Sequence, residues 1–375
     1  MRVLMGMPDG NSLGGPAACE PPFVAELRKL GAEVAEETYV YGGKLSRTPL
    51  RQRVVRVLAT ARRLSRRLRE AEFDVVHLNS SFDTMALLRD AATIQLLPPT
   101  RAKIFVKFHG SDAALFETNR ASLRSLVRFV LARVDGIGLL SAEERENFRR
   151  AGVEGRKLFV VKNVVAGADE KSAPQQSANL HAKLGVDTET PLLLFIARFI
   201  PAKGLTDVIN ACAILRDEGR AFRLLCLGDG ETRQTAEAQT AHLKLAEHVR
   251  FFGYVPEAET QEFYAGSTML VFPTYHYEGF PMVIFKSVAA GLPIITTRIR
   301  AAADYLREPD NCLWVEPQNP ALLAEKIIAL LDCPKLRTAM SESNRKLAEG
   351  FTAEVVTREY VDVYRQLITL KAKRV

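Results

Sequence analysis

Short runs of aliphatic and β-branched residues alternate with helix-length segments along this chain. The rhythm is interrupted once and then restarts. The first series gives strand candidates at 3–7, 75–78, 104–108, 136–140 and 158–162. A polar stretch, GADEKSAPQQSANLHAK, follows. The second series then gives 192–197, 223–228, 249–252, 269–272, 293–296 and 312–315. Strands separated by helices pair in parallel and are covered on both faces, so the pattern predicts an α/β fold. With 375 residues there is enough chain for two cores. Two doubly wound halves joined near 165–190 are the economical architecture. In such sheets ligands bind at the carboxyl ends of the strands, so the loops there should hold the chemistry.

Local signals agree with this layout. Ser141 and Glu144 form a capping box after the strand IGLL. Thr48 and Pro49 supply an N-cap and a first-position proline for a helix. Gly291 and Pro293 stop a helix over 282–290. The longest apolar runs, LVRFVLARV and PLLLFIARF, fall well short of the roughly 20 residues that span a bilayer. The N-terminus MRVLMGMPDG reads as a buried strand, not a signal peptide. Five scattered cysteines show no zinc spacing, so reduced thiols in a cytoplasmic protein are expected.

Charge is concentrated in one place. Residues 44–69 contain ten Lys or Arg and no acid, which leaves 41 basic against 44 acidic residues elsewhere. In this segment Val54, Val57, Leu58, Ala61, Leu64 and Leu68 recur at helical spacing, predicting one packed stripe with arginines on the other faces. A basic amphipathic helix suits an anionic membrane surface at the inner face of the membrane, or an acidic acceptor; a solvated basic face is the simpler alternative. Nucleic acid is not expected as a partner, because the segment lacks interleaved aromatics and no nucleic-acid motif occurs.

Four loops could carry chemistry. Gly14 and Gly15 follow the first strand and precede a helix; the pair makes either a plain turn or a close backbone approach to a phosphate. His109 directly follows the third strand candidate, as a structural donor or as a substrate contact. Arg198 ends the first strand of the second half and Lys203 follows five residues later, just before a helix, as solvated cations or as binders of a diphosphate, Arg by its planar fork and Lys as a mobile point charge. Glu278-Gly279-Phe280-Pro281 brings a carboxylate and free amides to the start of an apolar helix at Met282.

These stretches, taken in order with LGGPA, DVVHLN, HGSD, ARFIPAKG, LLCLGDGE, VRFFGYVP, EGFPMVIFKSVAAGLPIITT and NCLWVEP, resemble the retaining glycosyltransferases of glycosyltransferase family 4. The resemblance covers nearly the whole chain. It implies the GT-B fold, with two Rossmann-like doubly wound domains facing a central cleft. The domains would be 1–168 for the acceptor and 169–352 for the nucleotide-sugar donor, with a last helix in 353–375 crossing back to the first. Arg198 and Lys203 would hold the donor diphosphate, Gly14 and Gly15 would approach it, and His109 would face the sugar near the reacting centre. Glu278 would hold sugar hydroxyls, and the amides of Gly279, Phe280, Pro281 and Met282, as far as they have protons, would serve sugar and phosphate. No metal or other cofactor is expected, because two cations and helix N-termini supply the charge.

The departure from the family pattern is Lys286. The Glu-x7-Glu motif would put a second, ribose-binding carboxylate there, whereas an ammonium donates hydrogen bonds and accepts none. Lys286 is expected near the nucleotide. The implied reaction retains anomeric configuration by a front-face route, in which the leaving phosphate oxygen helps deprotonate an acceptor hydroxyl on a carbohydrate or lipid-linked acceptor. The alternative is a weakened or non-catalytic nucleotide-sugar-binding relative acting as a partner subunit. A nucleotide-sugar epimerase is a third reading that the EGFP loop fits less well.

Overall fold

The computed structural model describes residues 1–9, 14–39, 49–167 and 173–369. The chain forms two units. The first contains the described residues of Met1–Val164, Tyr277–Phe280 and Ala353–Val375, and the second those of Val165–His276 and Pro281–Thr352. The short Tyr277–Phe280 segment, expected in the second domain, packs with the first unit because the backbone of Gly279 lies against Leu140 and Glu144.

In the first unit the strands are β1 (Arg2–Met7), β2 (Glu33–Thr38), β3 (Val75–Phe82), β4 (Lys103–Ser111), β5 (Gly136–Leu139) and β6 (Leu158–Val160). All pair in parallel, in the order β2-β1-β3-β4-β5-β6. The helices are α1 (Gly15–Lys29), α2 (Leu50–Glu70), α3 (Thr84–Leu96), α4 (Ala114–Glu117), α5 (Ala121–Arg133) and α6 (Ala142–Arg150). The core gathers Leu4, Val76, Leu78, Val106, Phe108, Ile137 and Phe148.

Strand β2 is absent from the sequence reading, and its composition explains why. EVAEET carries three glutamates and lies at a sheet edge, where burial is partial. Its place is fixed instead by parallel pairing with β1 from Arg2↔Glu33 to Met7↔Thr38. Cations also hold it: Arg28 pairs with Glu36, and Arg63 and Arg67 both pair with Glu37. These contacts correct the picture of α2. It starts at Leu50, with Pro49 preceding it as N-cap and not as first helical residue, and Thr48 lies outside the described residues. Ala61 and Leu64 are buried as expected, but Val54 is 49% exposed and does not belong to the packed stripe. The described arginines of α2 are also partly neutralised, by Glu37 and, for Arg66, by Glu70.

The second unit opens with α7 (Ala173–Leu184), so the polar stretch is largely a helix and not a loose linker; Leu180 buries against Gly266. Its strands are β7 (Leu192–Ile196), β8 (Arg223–Leu227), β9 (Val249–Gly253), β10 (Met269–Phe272), β11 (Ile294–Thr296) and β12 (Leu313–Trp314). They too are all parallel, in the order β12-β11-β10-β7-β8-β9. The helices are α8 (Leu205–Asp217), α9 (Arg233–His242), α10 (Gln261–Gly266), α11 (Met282–Ala289), α12 (Arg300–Tyr305), α13 (Pro320–Asp332) and α14 (Pro334–Ala348). Central strands such as LLLFI and MLVF are apolar throughout because helices cover both faces. Gly291 takes φ +67° just after α11, and Leu292 N–H bonds back to Ser287, which closes the helix as the Gly-Leu-Pro sequence predicts.

The last helix, α15 (Ala353–Thr369), packs in the first unit. Tyr360 and Tyr364 are buried beside His77 and Phe105, and Tyr364 Oη lies 2.5 Å from His77 Nδ1. Among the described residues no helix is long and apolar enough to cross a membrane.

Candidate active site

Strand order locates the loops that matter. In the second unit the chain winds from β7 toward β8 in one direction and toward β10 in the other, so the switch point lies between β7 and β10. Loops leaving the carboxyl ends of strands at such a point form the natural ligand crevice. Those loops carry Arg198 and Lys203 after β7, and 273–281 after β10.

The two loops are tied together. A single 3-10 turn, Pro201–Lys203, presents the carbonyl of Ala202, which accepts from Tyr275 N–H at 2.9 Å and from Thr274 Oγ1 at 3.2 Å. Gly204 follows with φ +78°, and a Cβ there would come within 2.7 Å of the Pro273 carbonyl oxygen. Only glycine lets the turn approach this closely. On the other side of β7, a Cβ on Gly228 or Gly230 would come closer still to the carbonyl oxygens of Ala197 and Phe199. The LGDGE loop therefore shapes the backbone around Arg198, a role the sequence reading did not assign to it.

Two cations thus sit at this switch point in different states. Arg198 is exposed; its carbonyl accepts from Ile200 N–H at 2.9 Å, and its side chain makes no hydrogen bond or ion pair with the described residues. Lys203 is 4% exposed, with its ammonium 5.3 Å from the centre of the Phe272 ring. The expectation of a mobile lysine is thereby corrected: packing holds Lys203 in place while Arg198 reaches outward. Pro281 and Met282 follow at the start of α11, and Lys286 lies in its last turn. Lys286 is largely buried and forms an ion pair with Glu257, on the 3-10 turn Glu257–Glu259 before α10. Glu257 lies far from Lys286 in sequence, so no spacing announced the pair.

In the first unit Gly14 is the N-cap of α1 with φ +111°, a conformation that suits glycine and few other residues. Gly15 opens the helix. Leu13 lies outside the described residues. Glu278 is half-buried, while Gly279 and Phe280 are buried. A Cβ on Gly279 would come within 3.0 Å of Glu144 Oε2 and 3.1 Å of Leu140 Cβ, so the glycine of EGFP is tightly packed. Glu144 is fully buried and accepts from Ser111 Oγ at 2.7 Å and Leu140 N–H at 3.1 Å. Ser141 caps α6 as expected, with Glu144 N–H donating to Ser141 Oγ at 3.2 Å, while the glutamate side chain accepts from Leu140 N–H, one residue before the cap, and serves the neighbouring loop.

His109 sits near the carboxyl end of β4 amid buried polar groups that sequence spacing does not reveal. Its Nε2 is 2.8 Å from Asn79 Oδ1 on β3 and 3.5 Å from Glu20 Oε1 on α1. Lys107, two residues earlier on the same face of β4, donates to Glu20 at 2.7 Å; both are essentially unexposed. Its ammonium also lies 5.3 Å from the centre of the Tyr360 ring. Burial opposes the charge on Lys107, but Glu20 outweighs it and the lysine is held strongly protonated. Burial first, then Lys107 and His77, hold His109 well below the usual imidazole range. The only signal for this cluster in sequence is the period-two pair Lys107/His109, which puts both on one strand face.

Cys19, Glu20 and His109 bring one possible ligand atom each within 4.8 Å of one another, the one such trio among the described residues. The chemistry does not fit a cation: Lys107 already neutralises Glu20, and burial drives the Cys19 thiol upward so that it stays protonated. A hollow of about 430 Å³ in the second unit lies at the amino ends of β10 and β11, lined by Tyr264, Arg337 and Arg345, and holds none of the predicted site residues.

Comparison with known proteins bears on both units. The family model Glycosyl transferases group 1 matches residues 176–347, and the model Glycosyltransferase Family 4 matches residues 23–166. WcaL of Escherichia coli K12, provisionally described as a colanic acid biosynthesis glycosyltransferase, is 24% identical over 317 residues, 79% of this chain and 71% of WcaL. LpsE of Rhizobium meliloti, described as a lipopolysaccharide core biosynthesis glycosyltransferase, is 30% identical over 191 residues, 51% of this chain and 53% of LpsE. The match thus spans about half the length of LpsE. The crystal structure of Anabaena HepE in complex with UDP and glucose superposes with a TM-score of 0.75 at 17% identity, covering 97% of this chain and 99% of HepE. At that identity the likeness is one of fold, two Rossmann-like domains of the GT-B type.

Proposed function

The chain belongs to the glycosyltransferases, with a family 4 domain followed by a group 1 domain, and from this we propose that it moves a sugar from a nucleotide-sugar to a hydroxyl of a carbohydrate or lipid-linked acceptor. The product would be a polysaccharide or glycolipid, the field of work in which WcaL and LpsE are named. Transfer would proceed with retention of anomeric configuration and without a metal. The observation that carries the reading is the pinned turn at the switch point of the second unit, with Arg198 exposed and Lys203 held against Phe272.

In this reading Arg198 and Lys203 bind the donor diphosphate and stabilise it as a leaving group, doing by charge what a metal does in other sites. The N-terminal amides of α11 face the donor, and Lys286 lies near the nucleotide. Glu278 accepts from sugar hydroxyls. Gly14 and Gly15 let backbone approach the donor, and His109 faces the sugar. The protein contributes position and electrostatics; the leaving phosphate oxygen takes the acceptor's proton. The outward face of α2, with Arg51, Val55, Arg62, Arg66 and Arg69 at helical spacing, would rest on an anionic membrane surface.

The test is release of nucleoside diphosphate from a panel of nucleotide-sugars, UDP-sugars first because HepE is described with UDP. Binding of one donor with a thermal shift, and slow hydrolysis or transfer, is expected. No binding and no release across the panel would overturn the proposal.

A further inference from the structure

Asn79 has an orientation that the surrounding backbone dictates. Its Nδ2 donates to the Gly6 carbonyl at 3.1 Å, and its Oδ1 faces His109 Nε2 at 2.8 Å. Turning the amide over would set Oδ1 against the Gly6 oxygen, two acceptors face to face in a fully buried place. With Oδ1 fixed toward the ring, Nε2 must bear the hydrogen. The second neighbour of Nε2, Glu20 Oε1 at 3.5 Å, is also an acceptor. A neutral ring with its proton on Nε2 leaves Nδ1 as the acceptor.

The charges around the ring act in the same direction. The groups that face it are Lys107 on β4, Glu20 and Cys19 on α1, and His77 and Asn79 on β3; Tyr360 on α15 covers Lys107. Glu20 alone would favour an imidazolium. Lys107 holds that carboxylate at 2.7 Å, closer than His109 does, so the pair is neutral as a unit and adds no charge that would favour a second proton on the ring. Asn79 is neutral and supplies an acceptor without a charge, where an aspartate would supply both.

We propose that Asn79 is a positioning residue that fixes His109 as a neutral imidazole with its proton on Nε2, so that His109 is not an acid in the reaction. The inference rests on the reading of His109 as facing the donor sugar, and it narrows that role. In that state the leaving phosphate receives no proton from the ring.

Imidazole 15N NMR on the full-length protein with labelled histidine tests this without requiring turnover, the His109 signals being identified by their loss in His109→Gln. The expected spectrum is that of the Nε2–H tautomer, unchanged between pH 5.5 and 8.5. In Asn79→Asp the ring should gain a proton within that range. In Asn79→Leu the tautomer preference should be lost, and turnover should fall while the nucleoside diphosphate affinity holds. A wild-type ring that titrates in that range, or that carries its proton on Nδ1, overturns the proposal even if neither variant folds. If the spectrum is as expected and no nucleotide-sugar is turned over, the tautomer assignment stands and the functional reading fails.

Discussion

Lys286 holds the carboxylate of Glu257, joining the apolar helix α11 to the 3-10 turn at the entrance of α10. The lysine that stands where the resemblance implied a glutamate is therefore half of an ion pair that links two parts of the second unit. Its head is only 16% exposed, while Glu257 is 62% exposed, so solvent screens the pair from one side.

Replacing Lys286 by Glu should set two carboxylates against each other and lower the melting temperature, with a cost of about 1 kcal/mol or less given the exposure of Glu257. Adding Glu257→Lys restores an opposite-charge pair and should recover most of that loss. Nucleotide affinity measured on the same proteins should change with Lys286→Glu. Equal melting temperatures in all three proteins, with unchanged affinity, would show that the pair matters to neither property.

Arg198→Ala should weaken nucleoside diphosphate binding by roughly 1.5–3 kcal/mol, about 10- to 100-fold, and leave stability nearly untouched because the side chain is exposed. Lys203→Ala should lose a similar amount of affinity and also some stability, since a packed stem and its contact with Phe272 are removed. Calorimetric titration and thermal melts separate the two effects. Unchanged diphosphate affinity in both variants would remove these residues from the donor site.

The buried pair of Glu20 and Lys107 should behave non-additively. Lys107→Met leaves a carboxylate buried without its charge partner and should cost on the order of 3–5 kcal/mol. Glu20→Leu leaves the ammonium in the same position. The double variant should be more stable than either single one, because no uncompensated charge remains. Denaturant midpoints that simply add would contradict the coupling seen in the 2.7 Å contact.

Acid should destabilise the first unit earlier than carboxylate titration alone explains. His77 and His109 are both held below the ordinary imidazole range, by burial first and by Lys107 next. As pH falls through about 6.5 the unfolded chain takes up these protons and the native protein does not, so stability falls. Each histidine contributes up to about 1.4 kcal/mol per pH unit from there down to its native value, and nothing above it. Lys107 has the opposite sign: its contribution is complete below about 10.4 and is lost only as pH rises through its higher native value. Melting temperatures from pH 7.5 to 5.0 check the acid limb, and His77→Phe should flatten its slope. An unchanged slope in that variant would refute the assignment.

Membrane association, if α2 mediates it, should depend on the outward cations and not on those bound to Glu37. Arg51, Arg62, Arg66 and Arg69 changed to Gln should lower sedimentation with anionic vesicles, at about 1 kcal/mol per cation near the surface. Arg63 and Arg67 changed to Gln should lower it less, since Glu37 already occupies them. Equal partitioning to neutral and anionic lipid would eliminate the electrostatic anchor.

Sequence by itself determined the two parallel sheets, because strands buried on both faces are largely apolar, and β7 and β10 advertise this directly along their whole length. It also determined which loops leave the carboxyl ends of those strands, and hence His109, Arg198, Lys203 and the 278–282 segment as candidates. Chain order carries that information, since a strand end and the loop after it are neighbours in sequence. Strand β2 was not legible: an edge strand needs little apolar surface, so EVAEET has no pattern of its own and takes its place from β1 and from arginines on α1 and α2. Only the tertiary structure decided what surrounds each candidate. The partners of His109 come from residues 20 and 79, and the partner of Lys286 from residue 257, on separate elements of their folds. Spacing along a strand or helix specifies which face a side chain is on. It does not specify which distant charge meets it there, and burial then sets that charge's effect by removing the water that would screen it.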